Sequence, residues 1–156
     1  MTTAIRTPRT LRTDASHALE VDAGWHGRLA ARRVTGLLDR GLAPGGLTST
    51  QFGLLCLVAV ADDDTLGALA HKAGLDQSTM SRNLELLAKA GWVEIAMVEG
   101  DRRRRAAWLT EAGAVRLAQA IPLWRAAHVK LVARLGVARA GHLIDAAGAL
   151  EGAEPP

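Results

Sequence analysis

The 156-residue chain has one cysteine, Cys56, one phenylalanine, Phe52, and no tyrosine. A single thiol excludes an internal disulfide, and with it the small stapled folds of oxidising compartments. So few aromatics beside abundant alanine, leucine and arginine argue against an all-β architecture and leave a helix-forming vocabulary. No apolar run reaches the roughly 18 residues of a spanning helix. The opening MTTAIRTPRTLRTDASHALE is basic and lacks the apolar centre of a secretory signal. Together these absences predict a soluble cytoplasmic chain with no membrane partner. Also absent are a phosphate-binding P-loop, a dinucleotide fingerprint and a nucleophile elbow, so no enzyme activity and no cofactor are expected. His17, His26, His71, His128 and His142 form no i, i+4 pair, and no metal site is expected.

What the chain does have is arginine in one place. EGDRRRRAAWLT sets Arg102 to Arg105 in a row, while Asp62, Asp63 and Asp64 stand apart from them. With 19 Lys plus Arg against 16 Asp plus Glu the net charge is only mildly positive. A polyanion partner is therefore indicated by placement rather than by total charge.

A chain of this length makes one domain that buries roughly 70% of its unfolded surface. Residues 1–20 show no apolar period and read as a flexible basic arm, and 151–156 as a frayed tail. A helix is predicted from Asp22 to Leu42, ended by the APGG of residues 43–46. Thr48 with Gln51 forms a capping box, Leu47 can staple onto Phe52, and Phe52, Leu55, Cys56 and Ala59 make a buried stripe. A short helix from Gly67 to Ala73 breaks at Gly74. Asp76 caps a second helix to Ala90, and Gly91 stops it. So tight a pair of helices is a helix-turn-helix signature. WVEIAMV and RAAWL then alternate as the strands of a hairpin, with the arginines in the loop at its tip. Thr110 and Glu111 open a long helix, broken or kinked at Pro122 and running to about Leu135, and a last helix covers Val137 to Leu150.

On the second helix of the pair, Met80, Leu84, Leu87 and Ala88 share one side. Ser78, Ser81, Arg82, Glu85 and Lys89 share the other, a face free of bulky apolar groups and able to enter a major groove. Gln77, Ser78 and Thr79 occupy the first turn, where free N–H groups favour phosphate. An arginine-tipped hairpin beside that helix supplies a second contact suited to the narrow, electronegative minor groove.

The order and wording of LTSTQFGLL, LAHKAGLDQSTMSRNLELLAKAGWVE, EGDRRRR and LTEAG resemble the MarR family of bacterial transcription regulators. The likeness runs over about residues 26–150. It implies a mainly α fold with a small β-hairpin wing, a winged helix-turn-helix whose N- and C-terminal helices intertwine in a homodimer. By the resemblance, 47–110 is the DNA-binding lobe, 21–46 and 111–150 are dimerisation helices, and the D-x-R wing motif falls on Asp101, Arg102 and Arg103. Arg103 would then enter the minor groove, oriented by Asp101. Gln77, Ser78, Thr79, Ser81, Arg82, Asp101, Arg102, Arg103 and Arg104 are accordingly the expected DNA contacts.

The family also implies a small-molecule effector, commonly an aromatic acid, held by Trp25, His26, Arg28, Arg32, Trp124 and His128. The partners expected are thus double-stranded DNA with a near-palindromic operator, a second copy of the chain, and an effector. The function expected is a repressor released by that effector. Two alternatives stand beside it: a thiol-sensing repressor using Cys56, and a winged-helix protein that binds DNA without regard to sequence. Cys56 lies on an apolar stripe with no second cysteine to resolve an oxidised thiol, which favours a packing role. Trp92 and Trp108 are expected to pack the base of the hairpin.

Overall fold

The computed structural model describes residues 7–98 and 101–150, and of Val98 and Asp101 to Arg104 the backbone alone. The chain divides into two units, Met1–Gly36 and Leu37–Pro156.

The first unit corrects the expectation of a loose arm over 1–20. Arg9–Val21 is a helix, α1, that follows Pro8. Leu11, Ala15, Ala18 and Leu19 recur at i, i+4, i+7 and i+8, and no breaker lies between Pro8 and Asp22. The basic residues around this stripe masked its period. All of α1 is exposed, Leu11 at 55% and Leu19 at 49%, so its own unit leaves the stripe uncovered among the described residues. Asp22 separates α1 from α2 (Ala23–Leu42), its Oδ1 accepting the Gly24 N–H at 2.8 Å as an N-cap does.

The second unit begins within α2. A 3₁₀ turn at Ala43–Gly45 leads to α3 (Ser49–Ala59), whose Thr48–Gln51 capping box is formed as predicted. Asp39 reinforces that start, because its Oδ1 accepts both the N–H and the hydroxyl of Ser49 at 2.6 Å. Phe52, Leu54, Leu55 and Val58 are buried, Cys56 is half-buried and Ala59 is exposed. The stripe thus differs from the one expected, because α3 packs against α6 on one side and the hairpin on the other, which covers two faces.

α4 (Leu66–Lys72), capped by Thr65, and α5 (Gln77–Lys89), capped by Asp76, form the helix-turn-helix. Both helices end in the same way. Leu75 N–H reaches Ala70 O and Gly74 N–H reaches His71 O, while Trp92 and Gly91 repeat the pattern on Leu87 and Ala88. These are Schellman ends, and Gly74 serves at φ +62°, where a side chain would be strained.

β1 (Val93–Val98) and β2 (Asp101–Leu109) pair antiparallel. Thr65 adds a bridge to Ala106, and the Ala107 N–H reaches Asp64 O at 3.0 Å, so the acidic turn lies along β2.

α6 (Glu111–Leu135) runs through Pro122 as one helix, and α7 (Val137–Ala149) follows Gly136. Proline removes its own N–H bond there and crowds the carbonyl four residues before it, and packing of Leu117, Ala120, Ala127 and Leu131 on either side keeps the helix continuous. The start of α6 is tightly tied to the hairpin. The Thr110 hydroxyl donates to Gly91 O at 2.6 Å and accepts from Gly113 N at 3.0 Å. A Cβ on Gly113 would stand 1.9 Å from the Trp92 carbonyl oxygen, so only glycine allows this approach. The core joins these elements through Leu42, Leu47, Leu55, Leu69, Met80, Leu84 and Leu87. No single helix among the described residues is long and apolar enough to cross a membrane.

Candidate nucleic-acid interface

α5 divides as its sequence pattern requires. Met80, Leu84 and Leu87 are buried, at no more than 1% exposure, and Ala88 is half-buried. Gln77, Ser78, Arg82, Glu85 and Lys89 are exposed and Ser81 is half-exposed, so the expected polar face is turned outward. Leu86 is also exposed, at 58%, on the flank of that face, which is therefore less purely polar than predicted.

The head of α5 holds a compact network. The Asp76 carboxylate accepts the Thr79 N–H at 2.8 Å, the Ser78 hydroxyl at 2.6 Å and the Thr79 hydroxyl at 2.7 Å. These donors hold the Asp76 carboxyl well below the usual carboxylate range. An ionised carboxylate can only accept, so both hydroxyls donate inward and present lone pairs outward. Arg82 folds back over the same turn, its Nε reaching Ser78 O and its Nη2 reaching Thr79 Oγ1, each at 3.3 Å. The first turn was expected to offer free N–H groups to phosphate. Asp76 takes the Thr79 N–H of that turn and sets a carboxylate beside it.

The hairpin departs from expectation in one respect. The arginines were placed in a loop between two strands, yet Asp101 to Arg105 lie within β2. The ladder pairs Met97 with Arg105 and Val98 with Asp101, so residues 102–104 are inserted opposite a single step of β1. An insertion of this kind bends a strand without needing a long loop. The side chains of Asp101, Arg102, Arg103 and Arg104, all named from the sequence, lie outside the described residues, as do Glu99 and Gly100.

Arg105 is the arginine whose surroundings are described. Its Nη1 lies 3.5 Å from Glu85 Oε1, and the same oxygen lies 3.2 Å from the Ser81 hydroxyl. Neither Glu85 nor Arg105 was named as a site residue from the sequence. The i, i+4 spacing of Ser81 and Glu85 was a usable signal. The approach of Arg105 depends on the strand register and was not.

The structure also locates the residues expected to hold an effector. In the first unit, Trp25, His26, Arg28 and Arg32 are exposed; His26 Nε2 lies 3.2 Å from Glu20 O, and Arg28 is 4.0 Å from Asp22. In the second, Trp124 is half-buried and stacks on Phe52 at 5.7 Å and on His128 at 5.1 Å between ring centroids. The sequence reading missed a groove of about 500 Å³ between the end of α2 and α6, floored by Leu37, Leu123 and Ala127 and edged by Arg40, Lys130 and Arg134. It forms where Gly41 meets Ala127 so closely that a Cβ on Gly41 would stand 2.3 Å from the alanine Cβ. Trp92 packs on the core and carries Arg116 over its ring at 5.0 Å, as a hairpin-base residue should, whereas Trp108 is 42% exposed. Among the described residues, no three of His, Cys, Asp and Glu converge as metal ligands would.

A helix-turn-helix followed by a two-stranded hairpin packed beside its second helix defines a winged helix-turn-helix protein. The sequence profile of the MarR family matches residues 45–104. A Mycobacterium tuberculosis transcriptional regulator, MosR, solved in complex with DNA, is 34% identical with a TM-score of 0.70, over 82% of this chain and 97% of that one. A mutant Escherichia coli MarR complexed with operator DNA is 25% identical with a TM-score of 0.74, over 85% of this chain and 96% of that one. The transcriptional repressor NicR of Pseudomonas putida is 32% identical over 98 residues, which are 63% of this chain and 62% of NicR. The chain belongs to the MarR family of winged-helix transcriptional regulators.

Proposed function

We propose that the protein is a homodimeric repressor that reads a near-palindromic operator and is released by a small-molecule effector. The observation that carries this reading is the pairing of an outward polar face on α5, holding Ser78, Ser81 and Arg82, with an arginine strand in the adjacent hairpin. The helix face fits a major groove and the arginines fit the neighbouring minor groove. Gln77 and Thr79 complete the helix contacts, and Asp101, Arg102, Arg103 and Arg104 the wing contacts. That MosR and MarR are solved with DNA, and that NicR is a repressor, supports the same reading.

Dimerisation is supported by the apolar surface that α1, α6 and α7 leave uncovered. Leu11, Val21, Val129, Val137 and Ile144 are each at least 55% exposed, and a partner covering them would remove that apolar surface from water. For the effector, half-buried Trp124 and His128, stacked on the buried Phe52, offer an aromatic platform with a polar end. Thiol sensing by Cys56 is the weaker reading. Partial burial pushes this thiol up from its ordinary value, so little reactive thiolate is present at neutral pH.

The test is selection of bound duplexes from a random DNA pool by the purified protein. A two-fold symmetric motif is expected. Enrichment without a motif, with affinity collapsing steeply in salt, would instead mark a binder of phosphate alone.

A further inference from the structure

Helix and wing are usually counted as separate contacts, yet here one side chain touches both. Glu85 stands on the outward face of α5 with its side chain 48% exposed, and its Oε1 meets the Ser81 hydroxyl at 3.2 Å and Arg105 Nη1 at 3.5 Å. Ser81 donates in that bond, so the lone pairs of its hydroxyl face away from Glu85. Arg105 is the last of the four arginines and the one paired with Met97, at the edge of the insertion that carries residues 102–104. The Glu85–Arg105 pair therefore grips β2 at the root of the arginine segment. So exposed a pair adds little to folding stability. Its effect is on geometry and on which charges remain free.

We propose that Glu85 is a positioning residue joining the two DNA-reading elements: it holds the root of the arginine strand to α5 and presents Ser81 to the groove as a hydrogen-bond acceptor. This rests on the reading that α5 enters the major groove. There an outward acceptor matches the exocyclic amines of adenine and cytosine, the major-groove donors, and gains nothing from a phosphate oxygen. Arg105, engaged by Glu85, is at the same time withheld from indiscriminate phosphate binding. Both effects raise the ratio of specific to non-specific affinity more than affinity itself.

The experiment compares the full-length wild type, Glu85→Gln, Arg105→Gln and the double variant. Each is titrated on the duplex selected by the wild type and on random-sequence duplex over a range of salt. Each single variant is expected to lower the ratio of selected to random affinity by about tenfold, and the double variant by no more than either single one. Repeating the selection with Glu85→Gln is expected to relax the adenine-or-cytosine preference at one position in each half-site. Additive effects would overturn the proposal. So would an equal rise in affinity for both duplexes, which is what removing a negative charge does by itself. Ser81→Trp and Arg103→Ala separate the two levels of inference. If both bind the selected duplex like the wild type, the groove reading fails and this role with it. If both lose binding while Glu85→Gln keeps the wild-type ratio, the groove reading stands and the role of Glu85 alone is overturned.

Discussion

Asp76 shows how one residue both caps a helix and orients its neighbours. As the cap of α5 it satisfies the Thr79 N–H, and by accepting from the Ser78 and Thr79 hydroxyls it turns their lone pairs away from itself. The same three bonds lower its proton affinity in the folded state. A carboxyl depressed on folding contributes stability above its unfolded value, and that contribution is lost as pH falls through the folded value. Asparagine caps a helix nearly as well but carries no charge, so Asp76→Asn isolates the ionic part. Wild type is expected to melt above Asp76→Asn at neutral pH, with the gap closing as pH falls below the ordinary aspartate value of 3.8. Because Asp76 is fully exposed, solvent screening keeps the gap small and added salt narrows it further. Thermal melts of both proteins across that range check this, and a gap independent of pH would mean the charge plays no part.

At the scale of elements, what could be read from sequence was whatever local chemistry decides. Thr48 with Gln51, Asp76, Thr110 and Gly91 mark helix ends through bonds to near neighbours, and all four act where they were expected. What depended on distant partners was not legible. Arg102 to Arg105 look like loop residues by charge, yet an antiparallel ladder with inserted residues draws them into β2. Ala59 sits at a core spacing on α3 but faces solvent, because the hairpin covers the neighbouring face instead. The helix α1 escaped notice because its apolar stripe is interleaved with arginine and threonine. A 13-residue helix is marginal by itself in water, so α1 needs a partner for Leu11 and Leu19. If a second copy supplies it, Leu11→Asp with Leu19→Asp removes two leucines from each copy, four in the dimer, about 6–12 kcal/mol of association if all are fully buried. Sedimentation at micromolar concentration is then expected to show monomer appearing in the variant but not in the wild type. An unchanged dimer would mean that α1 lies outside the interface.

For the molecule as a whole, the two-fold axis of the proposed dimer turns a local recognition surface into a measuring device. One winged domain offers a single helix and a few arginines, enough for phosphate-driven binding but a short read of sequence. Two such domains held rigidly apart read two half-sites, and helix geometry fixes their separation at about 34–36 Å, one turn of the duplex. Rigidity is supplied where α6 meets the DNA-binding lobe. Gly113 lies against Trp92, Arg116 reaches Gly45 O at 2.7 Å while covering Trp92, and Asp39 caps α3 from α2. A lobe tied at three points cannot swing freely to meet a displaced half-site. Inserting about half a turn, roughly 5 base pairs, between the half-sites of the selected duplex is therefore expected to put the second site on the wrong side of the helix. Affinity should fall to the non-specific level, a loss of about 10³-fold or more. A full-turn insertion keeps the side but stretches the span, and the braced lobes should not recover the original affinity either. Gel-shift titration of the three duplexes distinguishes the cases. Binding that survives both insertions would mean that each lobe reads DNA independently and that the bracing does not set the spacing.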